Sequence, residues 1–462
     1  MRQHGSCLLP ADDAGRILDR LAGLEKVIPP ALIRQALDAS CKVNERSCSL
    51  THDVMLWVVL AMGLLTNMPI RQVFKHARRM RVDEKSPARS SLCEARKRLG
   101  VEPVQALFDR VVRPLATPES PGAFYHGMRL TAFDGTTLNA PDSPANCAAF
   151  ERSNGARGQG AFPLVRKMTL VEVGTHVELA LAMGGWQHSE AKLAVSLVPK
   201  LPKDSLLLVD RGLFGFPLWK LLADADIQVL ARVNKVVTLE PIQRLADGSF
   251  LAKIYSKSYD RVKDRNGIIV RVIEFTHHDP QRIGSGEKHR LLTTLLDAEK
   301  HPALELACLY HERWEVELVF DEQKTHQDPR RASKPAHLRS ETPEGIRQEV
   351  LALSLGHFVT RALMFEAAKT TDMDVDRLSF MGCLHILRCR LPECDAGTPL
   401  SLEQWYAALL SEMAKEDIDP RRNRVNPRVV KQKMSKFQKK RRCHRGIPPL
   451  KQTFADVVVI LN

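Results

Sequence analysis

Three carboxylates and three partners have the types and the spacing to do chemistry. Asp134 closes the apolar stretch LTAFD and Asp210 closes LLLVD. An acid that follows an apolar strand projects at the rim of a sheet, where α/β folds bind their substrates. Each has a plainer reading: Asp-Gly at 134–135 is also a hairpin signal, and Asp210 also suits a turn or a helix cap. Between Tyr310 and Lys324 the chain reads YHERWEVELVFDEQK, rich in helix formers and free of breakers. At about 100° per residue it predicts two polar arcs rather than one. Tyr310, Arg313, Glu317, Asp321 and Lys324 share one arc. His311, Glu312, Glu315, Glu322 and Gln323 share the other, with Trp314 and Leu318 between them on one side and Val316 and Phe320 on the other. One polar face can meet water, and the second needs a reason to exist.

Two strand-end acids and one helix acid are hard oxygen donors, the set that suits Mg²⁺ or Mn²⁺. Two such ions activate an attacking oxygen and steady the leaving one in phosphodiester displacement. Arg313 and Lys324 would then meet phosphates, and Tyr310 would hydrogen-bond one a turn earlier. Spacing alone does not choose among Glu315, Glu317 and Asp321.

The elements that must hold these residues follow from periodicity. Residues 1–125 are predicted helical, with bases gathered toward their end. The segment SPARSSLCEARKRLG presents Arg96, Lys97 and Arg98 as a groove-docking helix would, although a solvated basic helix explains them equally well. Between 126 and 234 the order becomes three antiparallel-type strands (129–138, 162–173, 176–185), a helix, a strand (205–214), a helix and a strand (227–234). That is a mixed α/β sheet in the order of ribonuclease H-like nucleases. Residues 235–300 read as a β-rich insertion, with turns at Asp247-Gly248 and Asn266-Gly267. Residues 301–375 return to the core with the Glu-bearing helix, and 376–462 are helical and basic. From Arg421 to Arg445 there are 12 Lys or Arg and no acid, including Lys439, Lys440, Arg441 and Arg442.

The formal charge of +14 favours an anionic partner, and nucleic acid above all. Ten cysteines form no CxxC pair and read as reduced cytoplasmic thiols. The apolar run VMLWVVLAMGLL (54–65) is too short to span a bilayer and reads as a buried helix. GSGEK lacks the phosphate-loop pattern and HERWE lacks the second histidine of a zinc protease, so neither ATP nor catalytic zinc is indicated.

Tyr310, two residues, Arg313, three residues, Glu317, six residues and Lys324 together resemble the Tyr-Arg-Glu-Lys signature of the IS-four family of insertion-sequence DDE transposases. The motifs around Asp134 (Phe-Asp-Gly-Thr) and Asp210 (Val-Asp-Arg-Gly) are similar to the family's two aspartate motifs, and a β-rich insertion lies where the family has one. The resemblance implies that Asp134, Asp210 and Glu317 are catalytic and hold the metals, two ions of Mg²⁺ or Mn²⁺. It implies that Tyr310, Arg313 and Lys324 contact DNA phosphates. The expected activity is cleavage at transposon ends and strand transfer into target DNA, by a bacterial cytoplasmic protein that works as a homodimer on paired terminal inverted repeats. The competing readings are a ribonuclease H-like nuclease that does not join strands, and an inactive transposase-derived regulator. Some relatives stack a flipped base on a tryptophan in the insertion. This chain has none between Trp219 and Trp314, leaving Phe250, Tyr255 and Tyr259 as substitutes.

Overall fold

A computed structural model describes residues 18–42, 49–78, 85–155, 158–234, 236–279, 285–328, 338–394, 401–419 and 452–461. The first helices are α1 (Pro30–Ala39), α2 (His52–Leu64), α3 (Ile70–Ala77), α4 (Arg89–Leu99) and α5 (Glu102–Val111). The core follows as β1 (Phe124–Tyr125), β2 (Met128–Asn139), α6 (Pro144–Phe150), β3 (Arg152–Gly155), β4 (Gly158–Glu172), β5 (Val177–Gly184), α7 (Glu190–Leu197), β6 (Ser205–Val209), α8 (Phe216–Asp224) and β7 (Gln228–Arg232). The predicted insertion holds β8 (Gln243–Arg244), β9 (Phe250–Ile254), α9 (Ser258–Val262), β10 (Ile268–His277) and β11 (His289–Thr293). After it come α10 (Ala303–His311), α11 (Glu315–Asp321), α12 (Pro343–Thr370), α13 (Phe380–Arg390), α14 (Leu402–Met413), α15 (Phe454–Val457) and β12 (Val458–Ile460).

The strands form one mixed sheet in the order β3-β4-β2-β6-β7-β11-β10-β9-β8, with β5 on β4, β1 on β2 and β12 on β10. Its heart, β5-β4-β2-β6-β7, is the ribonuclease H-like order. β2 pairs in parallel with β6, and β6 with β7, whereas β4 and β5 run antiparallel. The insertion is not a separate sheet. Its β11 pairs with β7 and carries the core sheet onward through β10 and β9. The Asp247-Gly248 turn forms, with Gly248 at φ 86°, and the β-rich stretch also holds one short helix, α9.

Alternation along β6 gives the sheet two apolar faces. Leu207 and Val209 face α7 and α8, where they meet Leu193, Leu218 and Trp219. Leu206 and Leu208 face the other way, onto Leu306, Ala307, Val316 and Val319 of α10 and α11. A third core joins the N-terminal helices to α12, α13 and α14, so the first helices do not form a module of their own. α2 is buried from Asp53 to Leu64, as an apolar helix with no polar side must be. It crosses α12 at Gly63 and Gly356, where a Cβ on Gly63 would lie 1.8 Å from the Ala352 carbonyl oxygen. α12 is itself long and apolar enough to cross a membrane, but it runs through the interior of the fold.

Candidate active site

The site is built where a parallel strand pair ends. Phe133 of β2 and Val209 of β6 are the last partners in register. The next residue on each strand is an aspartate, so Asp134 and Asp210 emerge side by side, with adjacent strands about 4.8 Å apart. No hairpin forms at Asp134-Gly135. β2 continues to Asn139, paired with β4 throughout, and Asp134 is a mid-strand residue opposite Thr169. The predicted strand end is therefore the end of β6 alone. Asp210 also caps its turn, accepting the backbone N–H of Gly212 (2.5 Å) and Leu213 (3.2 Å).

The Tyr310–Lys324 segment crosses this rim, but not as one regular helix. α10 tightens into a 3₁₀ turn at Glu312–Trp314, α11 follows, and Glu322–Gln327 opens into a π-helix. The Tyr310 hydroxyl donates to the Val209 carbonyl (3.2 Å) and is buried, which pushes its pKa up to about 12. Tyr310 therefore pins the segment to β6, and the expected phosphate contact is not available to its hydroxyl in this arrangement. Arg313, 7% exposed, approaches the Asp134 carboxylate at 3.5 Å. Lys324 donates to the Thr136 hydroxyl, two residues beyond Asp134 on the same face of β2.

The three helix acids differ in their surroundings. Burial pushes the Asp134 carboxyl up to about 6; Arg313 and the Gly135 N–H pull it down, and the charges of Asp210 and Glu317 push it up. Glu315 instead faces His176 (3.3 Å), and Asp321 faces His326 (3.4 Å). Of the three, Glu317 is the one whose charge acts on Asp134. An all-oxygen set with a desolvated carboxylate at its centre fits a hard divalent cation, whose charge relieves the crowding of like charges.

Three of the five residues of the second polar arc do not meet water. Glu322 (3% exposed), Gln323 (2%) and Glu315 (5%) are all buried. Glu322 accepts from Arg361 Nε (3.0 Å) and pairs with His357 (2.9 Å). Although burial works against it, Arg361 and the two histidines His176 and His357 hold its carboxyl well below the usual range. Gln323 accepts from Lys167 (2.9 Å) and donates to Glu178 (2.7 Å). His176, Glu315 and Asp376 are the one group among the described residues whose ligand-type atoms all lie within 4.8 Å of one another. Arg361 lies 2.6 Å from His176 Nδ1. Against burial and the Arg361 charge, the carboxylates of Asp376, Glu315 and Glu322 push the His176 pKa up to about 9, so Nε2, which faces Glu315 and Asp376, carries a proton. That nitrogen offers a proton rather than a lone pair, and the cluster reads as a hydrogen-bonded ion network. The Asp134 group is more open, as a site that admits phosphate must be.

Among the other expected DNA contacts, Arg96 is committed elsewhere: its guanidinium donates to Gln348 Oε1 (2.8 Å) and the Gly345 carbonyl (2.6 Å), tying α4 to α12. Lys97 is exposed beside Glu94 (2.7 Å), and Arg98 is exposed. Lys439, Lys440, Arg441 and Arg442 lie outside the described residues. Of the insertion's aromatics, Phe250 is in the core, Tyr255 donates to Asp264 (2.7 Å), and Tyr259 is 63% exposed. Sequence reasoning missed Thr136, whose signal lay in the Asp-Gly-Thr motif, and the whole Lys167–Glu178–Gln323 group, whose members are far apart in the chain.

Residues 18–109 match the family model described as insertion element 4 transposase N-terminal, and residues 125–349 match the transposase DDE domain. The transposase InsG for insertion sequence element IS4 of Escherichia coli (strain K12) is 28% identical over 430 residues, covering 90% of this chain and 93% of the relative. The putative transposase InsZ of the same organism is 28% identical over 188 residues, 40% of this chain and 61% of its own length. A solved structure described as a piggyBac transposase synaptic complex with hairpin DNA aligns over 87% of this chain and 86% of its own, at 13% identity and a TM-score of 0.43. With one family model on the N-terminal helices, the other on the sheet and the Tyr310–Lys324 segment, and a relative aligned along nine-tenths of its length, the chain belongs to the IS4 family of DDE transposases, DNA-cleaving and strand-transferring enzymes that use divalent metal.

Proposed function

We propose that Asp134, Asp210 and Glu317 are the catalytic carboxylates of this transposase and hold two Mg²⁺ ions, or Mn²⁺, at the end of β6. The observation that carries this reading is the emergence of Asp134 and Asp210 from adjacent parallel strands, with Glu317 acting on Asp134. Divalent metal in such a cage supplies the charge that activates an attacking oxygen and steadies a leaving one. The chain's own groups set the stage. Tyr310 anchors the segment, while Arg313 and Lys324 bring two cations to the rim, where they grip the phosphates beside the cut. Lys97, Arg98 and the basic tract with Lys439, Lys440, Arg441 and Arg442 add sequence-independent affinity for double-stranded DNA, both terminal repeats and target. A homodimer pairing two ends, working on the nucleoid, completes the proposal and rests on the family resemblance.

Replacing Asp134, Asp210 or Glu317 singly by its amide keeps the shape and removes the charge that holds the metal. Each variant is expected to bind end DNA as the unaltered protein does and to lose cleavage in single-turnover assays with Mg²⁺. Cutting at near-normal rate by one of them removes that residue from the site. Loss of cutting in Glu315→Gln with retention in Glu317→Gln would reassign the helix acid.

A further inference from the structure

The buried arc on the far side of the Glu317 segment has a geometric consequence for Lys324. Seven residues make nearly two α-helical turns, so an uninterrupted helix would stack Lys324 over Glu317. Here the coil opens into a π-helix at Glu322, before Lys324 is reached. Such wide turns are rare and need outside support. Support comes from four elements at once. Ser354, His357 and Arg361, spaced three and four residues apart, form one stripe on α12. Arg361 and His357 hold Glu322, and Ser354 shares Lys167 with Gln323 (3.0 Å). Lys167 and Glu178 belong to β4 and β5, and Lys167 is the register partner of Thr136, to which Lys324 donates. Gln327, fully buried, closes the turn by donating to the Gly63 carbonyl of α2 (2.9 Å) and the Leu353 carbonyl of α12 (2.8 Å).

We propose that Glu322, Gln323 and Gln327 are positioning residues that hold the π turn open through Arg361, Lys167 and Gly63, and so set Lys324 beside Thr136 and the Asp134 rim. Glu322 and Gln323 face away from the substrate side and touch no DNA; they act through Lys324. The inference rests on the proposed role of Lys324 in cleavage. It also gives the network a purpose beyond stability, because a buried ion pair is often matched or exceeded in stability by apolar side chains of similar volume.

The test separates folding from positioning. Glu322→Met combined with Arg361→Met removes both charges together, and Gln323→Met removes two hydrogen bonds while leaving Lys167 and Glu178 paired. Thermal melting, end-binding affinity and single-turnover cleavage of pre-bound ends are measured for both, beside Lys324→Ala. The expected result is near-normal melting and binding with cleavage lowered about 10- to 100-fold, the loss that a displacement of about 1 Å brings to a reacting group. A well-folded double variant that cuts at the normal rate overturns the proposal. If the double variant does not fold, normal cutting by Gln323→Met overturns it equally. Normal cutting by Lys324→Ala would instead remove the active-site role of Lys324, which is a different failure.

Discussion

Asp134 carries two demands that conflict. Its carboxyl is desolvated and lies near two other acids, and the single cation of Arg313 only partly offsets them. A carboxyl whose native pKa rises from about 4 to about 6 binds more protons folded than unfolded between those values. The metal-free protein therefore loses stability as pH climbs through that window, and the loss is complete above it. Two pK units correspond to at most about 3 kcal/mol. Asp134→Asn should accordingly raise the apparent melting temperature of the metal-free protein at pH 7.5, and the gain should vanish near pH 4. Mg²⁺ should raise the melting temperature of the unaltered protein and leave the variant where it was. A variant less stable than the parent at pH 7.5 would show that the carboxylate is better compensated than its surroundings suggest. Much of this site was legible in the sequence, because its acids follow apolar stretches and its cations share a helical stripe. Tyr310 and Arg96 were not: their side chains are used internally by Val209, Gln348 and Gly345, partners that no local pattern reveals.

At the scale of elements, period-two and helical patterns located the five core strands and the helices between them, since each buries one face or one stripe. The same patterns missed the 3₁₀ and π turns flanking α11. EQKTHQ has ordinary helix-forming residues, and what opens it is a set of hydrogen bonds from α2, α12, β4 and β5, none of them near in sequence. The hidden constraint on α2 is of the same kind. Gly63 looks like one small residue in an apolar run, yet it is the point where two helix backbones meet. Gly63→Ala should force α2 away from α12, at an overpacking cost of about 1 to 3 kcal/mol or more. It should also disturb the carbonyl that Gln327 uses. A lower melting temperature together with reduced cleavage by the folded fraction is the expected outcome; unchanged melting would mean that the crossing relaxes freely.

Across the whole molecule, charge and core are distributed differently. The 12 basic residues between Arg421 and Arg445 carry most of the excess positive charge in one stretch. Deleting 421–445 should weaken binding to every DNA sequence alike and flatten its salt dependence, by about 0.9 in log-log slope for each phosphate that the tract neutralises. Selective loss of terminal-repeat binding would show instead that the tract reads bases. The helical core, by contrast, draws on both ends of the chain, with α2 and α12 packed through Gly63 and Gly356. During translation α2 leaves the ribosome apolar from Val54 onward, and the helix that covers most of it begins only at residue 343, nearly 280 residues after α2 ends at 64. At synthesis rates of about 5 to 20 residues per second that is a wait of roughly 15 to 60 s. Through that interval the nascent chain offers chaperones an oily helix. Any shortened product that stops before residue 343 keeps the partners of α2 in α1, α3, α4 and α5 but leaves its α12 face uncovered, so early termination exposes apolar surface.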